Sequence, residues 1–232
     1  MVKRAGIRPR ALLLDLDGTL ADSLGVMKDV YRRFMGGEGR TPADAEFDRL
    51  NGPPLAEGVR ILKDAHRLTA PHAELLARYR ALVEEVYGSV PPRAGARDLL
   101  ESAKARGWTV GVVTSNGEAR TRAWLARARL DDLVDVVVGG DSIIRPPHGG
   151  TARGKPAPDP YLAALKLAGC KAENGLAVED SPQGAEAARA AGIPTLALTP
   201  DSEKTAGWPA GVAFVANLAA VQKKIESEPA PT

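Results

Sequence analysis

Two acids close the apolar run Leu12-Leu13-Leu14-Asp15-Leu16-Asp17-Gly18-Thr19-Leu20. Side chains alternate across a strand, so Asp15 and Asp17 point to the same side. Carboxylates held that close raise one another's pKa unless a cation lies between them. A hard divalent ion fits, and magnesium comes first because it accepts few protein carboxylates and keeps waters and phosphate oxygens. Gly18 lets the chain turn at once and leaves both acids at the carboxyl end of the strand, the edge where open α/β sheets bind ligands. Asp22-Ser23 is the better helix cap, so Asp15 and Asp17 have no capping task.

Three further segments carry compatible chemistry. In Val112-Val113-Thr114-Ser115-Asn116-Gly117 an apolar strand runs into hydroxyls, an amide and a glycine before a new helix. Such a turn offers side-chain and backbone donors to phosphoryl oxygens, although Ser115 or Asn116 could equally serve as a plain helix cap. Lys155 lies in Gly154-Lys155-Pro156-Ala157-Pro158, where the following proline restricts its backbone and directs its ammonium. A lysine so placed neutralises a carboxylate nucleophile and a phosphoryl group as a point charge. Leu176-Ala177-Val178-Glu179-Asp180-Ser181-Pro182 is a second strand ending in two acids. Capping of the next helix by Ser181 or Asp180 accounts for one residue there and leaves Glu179 unexplained. Two acidic strand ends, a lysine and a hydroxyl turn together describe a magnesium-dependent phosphoryl-transfer site.

The elements that must position these residues are legible as short β-branched runs separated by helical stretches. Strands are expected at Ala11–Asp15, Trp108–Thr114, Leu133–Val138, Gly175–Val178, Ile193–Leu198 and Val212–Val215, a parallel pattern buried on both faces. Helices are expected at Gly95–Ala105, Glu118–Arg127, Asp159–Leu167, Pro182–Ala191 and Leu218–Glu226, with Gly107, Gly169 and Gly192 as C-terminal stops. Between Ser23 and Pro91 no strand is expected, and apolar residues fall at helical spacing, as in Leu55, Val59 and Leu62. Gly36-Gly37-Glu38-Gly39 and Asn51-Gly52-Pro53-Pro54 divide this stretch into helices. The expected fold is α/β, a Rossmann-like three-layer parallel-sheet core over residues 1–22 and 92–232. An all-helical cap over residues 23–91 is inserted beside the acidic pair, where it could close over a ligand and exclude water.

Composition narrows the setting. Among 232 residues, 31 basic and 29 acidic side chains leave a net charge of +2, with no field to attract nucleic acid or an anionic membrane. The lone Cys170 cannot form an internal disulfide, and Met1 is followed by Val2-Lys3-Arg4-Ala5-Gly6 without a hydrophobic signal segment. No apolar run approaches the roughly 20 residues that span a bilayer. A cytoplasmic protein acting on a small molecule, as monomer or homodimer, is expected. His148 and the stretch Ser142–Arg153 read as a surface loop.

Taken in order, Asp15-Leu16-Asp17-Gly18-Thr19-Leu20, Thr114-Ser115-Asn116, Lys155-Pro156 and Glu179-Asp180-Ser181 resemble the motifs of the haloacid dehalogenase superfamily of phosphatases. The helical insertion lies where members similar to phosphoglycolate phosphatase and β-phosphoglucomutase carry a cap. The resemblance implies a small phosphorylated metabolite as substrate and Mg2+ as cofactor. It implies Asp15 as nucleophile, and Asp17 as proton donor and then base, with its backbone carbonyl in the metal shell. Ser115, or else Thr114, binds a phosphoryl oxygen beside Asn116. Lys155 holds the phosphoryl group and Asp15 together, Asp180 ligates the metal, and Glu179 does so directly or through water. An acid at position 17 argues against a dehalogenase, because halide leaves without a proton. A sugar-phosphate mutase of the β-phosphoglucomutase type is the alternative, disfavoured by Met27 and Leu55 where such relatives carry a histidine and a phosphate-holding arginine. A phospho-accepting signalling module is the alternative of another class, disfavoured by chain length and by the cap. Arg49, Asn51 and Lys63 are candidate specificity residues.

Overall fold

The computed structural model describes residues 10–50, 53–143, 153–199 and 207–227. Six parallel strands form one sheet in the order β3-β2-β1-β4-β5-β6: β1 Ala11–Leu14, β2 Thr109–Val113, β3 Val136–Val138, β4 Gly175–Glu179, β5 Thr195–Leu198 and β6 Ala213–Val215. All six expected strands are present. The third begins later than expected, because Asp131–Leu133 form a 3-10 turn before the chain extends. The chain adds strands outward from β1 to β3 and then crosses back to β4 on the other side of β1. That reversal opens a crevice between β1 and β4 at the carboxyl edge.

Strand β1 reads Ala-Leu-Leu-Leu because both of its faces are covered. Leu12 and Leu14 pack into the core that includes Leu99, Trp124 and Val221, while Ala11 and Leu13 pack with Tyr161, Ala164 and Ala187. Helices α5 (Ala96–Ala105), α6 (Glu118–Ala128) and α10 (Leu218–Ser227) contribute to the first core, and α8 (Asp159–Leu167) and α9 (Pro182–Ala190) to the second. The result is the three-layer arrangement read from the sequence. Gly107, Gly169 and Gly192 all hold positive φ after their helices, at 72°, 60° and 79°, the left-handed conformation of a C-terminal stop.

Between β1 and α5 lie α1 Leu24–Gly37, α2 Asp44–Leu50, α3 Leu55–His66 and α4 His72–Tyr87; α7 (Gly140–Ile143) follows β3. Gly36 and Gly37 do not interrupt α1, which ends only where Gly39 takes φ 67°. Asn51 and Gly52 lie outside the described residues, as do His148 and most of the expected Ser142–Arg153 loop. The two connections to the insertion run side by side: Asp22 N–H donates to Pro91 O at 3.0 Å and Arg93 N–H to Leu20 O at 2.7 Å. The Trp124 indole N–H fastens the return connection through Val90 O at 2.9 Å. Among the described residues no helix is long and apolar enough to cross a membrane.

A polar knot fixes α2 against α1. The Tyr31 hydroxyl donates to Glu46 Oε2 at 2.5 Å and accepts from Ala43 N–H at 2.9 Å, and His66 Nε2 lies 2.8 Å from Glu46 Oε1. Removing a buried hydroxyl strands both of its partners, which costs about 1–3 kcal/mol. Tyr31→Phe should therefore lower the urea midpoint by that equivalent, and an unchanged midpoint would show that the knot contributes nothing.

Candidate active site

Register brings the separated motifs to one point. Leu14 pairs with Val112 on one side and with Val178 on the other, so the next residues, Asp15, Val113 and Glu179, stand level at the carboxyl edge. Asp15 N–H extends the ladder to Val178 O at 3.0 Å, and Thr114 N–H does so to Val138 O at 3.0 Å.

Lys155 reaches into this edge from the segment before α8. Its buried ammonium donates to Asp15 Oδ1 at 2.5 Å, Glu179 Oε1 at 2.5 Å and Val113 O at 2.9 Å. Burial works against the charged lysine, but the Asp15 and Glu179 carboxylates outweigh it and hold its pKa above the ordinary value. The Asp15 carboxyl is pushed well up, by burial first and by Glu179 and Asp180 in addition, with Lys155 opposing. Tyr161, in α8, donates to Glu179 Oε1 at 2.6 Å. Gly184 is required opposite, because a Cβ there would overlap the Glu179 carboxylate. The Ser181 hydroxyl caps α9 by accepting from Gly184 N–H at 3.1 Å.

Asp17 is held by different partners. Tyr87, the last residue of α4, donates to Asp17 Oδ1 at 3.1 Å, and the Asn116 amide donates to Asp17 Oδ2. Burial pushes the Asp17 carboxyl up, while hydrogen bonds from Ser23 and Tyr87 oppose it. Asn116 also donates to Tyr87 Oη at 3.0 Å, and Arg120 lies over the Tyr87 ring at 5.7 Å while pairing with Glu84. The capping reading of Ser115 and Asn116 does not hold. Gly117 occupies the cap position of α6, and Asp141 accepts from Glu118 N–H at 2.8 Å. Thr114 turns its hydroxyl to Asn116 N–H at 3.1 Å, whereas Ser115 is less buried and lines the cavity above Asp15. Ser23 stands at the cap position of α1 but spends its hydroxyl on Gly18 N–H at 3.1 Å, which ties the sharp turn to the helix start.

Carboxylate oxygens of Asp15, Glu179 and Asp180 lie within 4.8 Å of one another. Three hard oxygen donors, two of them buried, suit a magnesium-sized cation. Gly18 makes this possible, since with φ 80° its missing Cβ leaves the space that the Asp180 carboxylate fills. All eight residues singled out in the sequence, Asp15, Asp17, Thr114, Ser115, Asn116, Lys155, Glu179 and Asp180, thus meet at one edge. Lys63 does not join them, because its ammonium closes the end of α3 on Leu68 O and Ala70 O, each at 2.6 Å. The Arg49 side chain and Asn51 lie outside the described structure. Tyr87, Tyr161 and Arg120 were not anticipated, and only proximity of Tyr161 to the Lys155 segment could have suggested one of them.

The family model for haloacid dehalogenase-like hydrolases matches residues 12–198. Phosphoglycolate phosphatase of Rhodospirillum rubrum is 32% identical over 201 residues, covering 82% of this chain and 80% of that protein. A phosphorylated carbohydrates phosphatase of Thermotoga maritima is 29% identical, covering 79% and 82%. Among solved structures, CbbY of Rhodobacter sphaeroides in complex with phosphate superposes with a TM-score of 0.70 at 24% identity, covering 92% of this chain and 96% of that one. A Pseudomonas syringae hydrolase gives 0.74 at 22% identity, covering 95% and 100%.

Gly18 supplies a direct test of the acidic cluster. Gly18→Ala forces a side chain onto positive φ and into the Asp180 carboxylate, so Mg2+ affinity measured by calorimetric titration should fall at least about tenfold and stability by about 1 kcal/mol or more. Gly25→Ala, with open space around it, is the control and should leave affinity unchanged. Equal Mg2+ binding by Gly18→Ala and wild type would remove Asp180 from the cation site.

Proposed function

The chain belongs to the haloacid dehalogenase-like hydrolases, and from that premise we propose a magnesium-dependent phosphatase that hydrolyses a small-molecule phosphate monoester through an aspartyl phosphate. The contact of Lys155 with Asp15 and Glu179 carries this reading. It pairs a nucleophilic carboxylate with a fixed cation, and phosphoryl transfer requires chiefly such positioning and charge neutralisation.

In the first step Asp15 Oδ attacks phosphorus. As that bond forms, the bond from phosphorus to the ester oxygen breaks and Asp17 gives its proton to the departing alcohol. The raised pKa of Asp17 favours the protonated acid this step needs. Tyr87 and Asn116 orient it. In the second step Asp17, now a carboxylate, takes a proton from water, whose oxygen attacks phosphorus and releases Asp15 and inorganic phosphate. Ser115, with Thr114 behind it, binds phosphoryl oxygens beside Asn116, whose amide is given to Asp17 and Tyr87, and Lys155 spans Asp15 and the phosphoryl group. Asp15, Asp180 and the Asp17 backbone carbonyl are assigned to hold Mg2+. Glu179 acts there directly or through water, in addition to anchoring Lys155. The bound ion supplies neutralisation of phosphoryl charge. We assign residues 1–22 and 92–232 to the catalytic core and 23–91 to a cap, in a cytoplasmic monomer or homodimer. Hydrolysis rather than isomerisation is favoured because Met27 and Leu55, which line the cavity, bring neither the histidine nor the arginine expected of a mutase.

The two acids of the first motif separate the roles. Asp15→Asn should form no phosphoenzyme with any ester. Asp17→Asn should keep the nucleophile but lose about 10²–10⁴-fold in turnover of an alkyl phosphate, while an activated aryl phosphate still modifies Asp15. Acid quench with labelled substrate and mass mapping reads this directly, and label on another residue or equal loss with both esters would overturn the assignment. Excess chelator should abolish turnover and Ca2+ should restore little of it; undiminished rates in chelator would remove the metal from the reaction.

A further inference from the structure

The cavity above Asp15, about 160 Å³ in volume, has two chemically different ends. Asp15, Asp17, Lys155 and Asp180 gather at the sheet edge. The facing wall, contributed by the helical insertion, presents Met27, Phe47, Leu55, Val59, Leu62 and Val83. Among the described residues 23–91, no Asp, Glu, Lys, Arg or His lines it. Among the described cations of the insertion, Lys63 binds backbone carbonyls, Arg60 pairs with Glu57 and Asp64, and Arg78 with Glu38 and Glu74. Arg120, at the core side of the cavity, is paired with Glu84 and stacked on Tyr87. Of the wall's hydroxyls, Ser23 is taken by Gly18 and Tyr87 by Asp17, and the largely buried Tyr79 brings one more.

A carboxylate or a ring of hydroxyls on the leaving group would face mostly hydrocarbon on this wall, with the Tyr79 hydroxyl too little to replace the water it loses. An apolar group loses nothing there and gains by burial. Resting on the phosphatase reading above, we propose that the alcohol released by this site is neutral and predominantly apolar where it meets this wall.

The test compares phosphate release from benzyl phosphate, phosphoglycolate and glucose 6-phosphate, with methyl phosphate, whose leaving group is too small to reach the wall, reporting the chemical machinery alone. Wild type should favour benzyl phosphate over both polar esters by at least about tenfold in kcat/KM, with the difference carried mainly in KM. Leu55→Arg, and independently Met27→Lys, place a cation in the half-buried wall and should shrink that preference at least about tenfold while methyl phosphate, which does not reach the wall, is still cleaved. Preference of wild type for phosphoglycolate or glucose 6-phosphate, or a preference untouched in both variants, overturns the inference and leaves the phosphatase standing. Loss of the phosphoglycolate rate in Arg49→Ala would then identify the cation responsible. Release from none of the four esters overturns both.

Discussion

The Lys155 ammonium is enclosed by Asp15, Glu179 and the Val113 carbonyl, and three strands must lie in register for that enclosure to exist. A charge removed from water is tolerable only when its partners are close and its donors are filled, and breaking such a buried pair costs about 3–5 kcal/mol. The lysine therefore constrains both sides of β1 at once. It also leaves Glu179 with little freedom, since the same oxygen receives the Tyr161 hydroxyl and Gly184 closes the space behind. Asp180, next along the chain and less buried, is the acid with room to meet a cation beside Gly18.

Much of this was legible in the sequence for a physical reason. Strands buried on both faces must be apolar throughout, so they announce themselves, and acids at their ends interrupt the pattern. Parallel order then brings every such end to one edge, which is why four short motifs spread from Asp15 to Asp180 converge although they lie far apart in sequence. Helix stops at Gly107, Gly169 and Gly192 follow from a backbone conformation that glycine adopts without strain.

Other contacts left no local mark. Tyr87 reads as one more apolar position of α4, yet its hydroxyl reaches Asp17 across 70 residues of chain. Arg120 looks like a solvated helix residue until the Tyr87 ring is found beneath it. Lys63 is a candidate by polarity alone, yet its ammonium is given to the Leu68 and Ala70 carbonyls just beyond the end of α3. Ser115 and Asn116 have the composition of caps, and only the position of Asp141 in space takes that task from them.

The two walls of the cavity are consequently held by different forces. Sheet register and one buried ammonium fix the phosphoryl end, so a change there disturbs several strands together. The apolar end depends on helix packing within the insertion, through contacts such as Phe34 against Tyr79 at 4.9 Å and the Tyr31–Glu46 knot that seats Phe47 on α2. Leu55 and Met27 line the cavity as partly buried residues packed against the edge of that core. Their replacement can thus alter which alcohol fits without moving Asp15, Asp17 or Lys155. The sheet thus positions the acids and the lysine, and the helices of the insertion position the apolar wall that faces them.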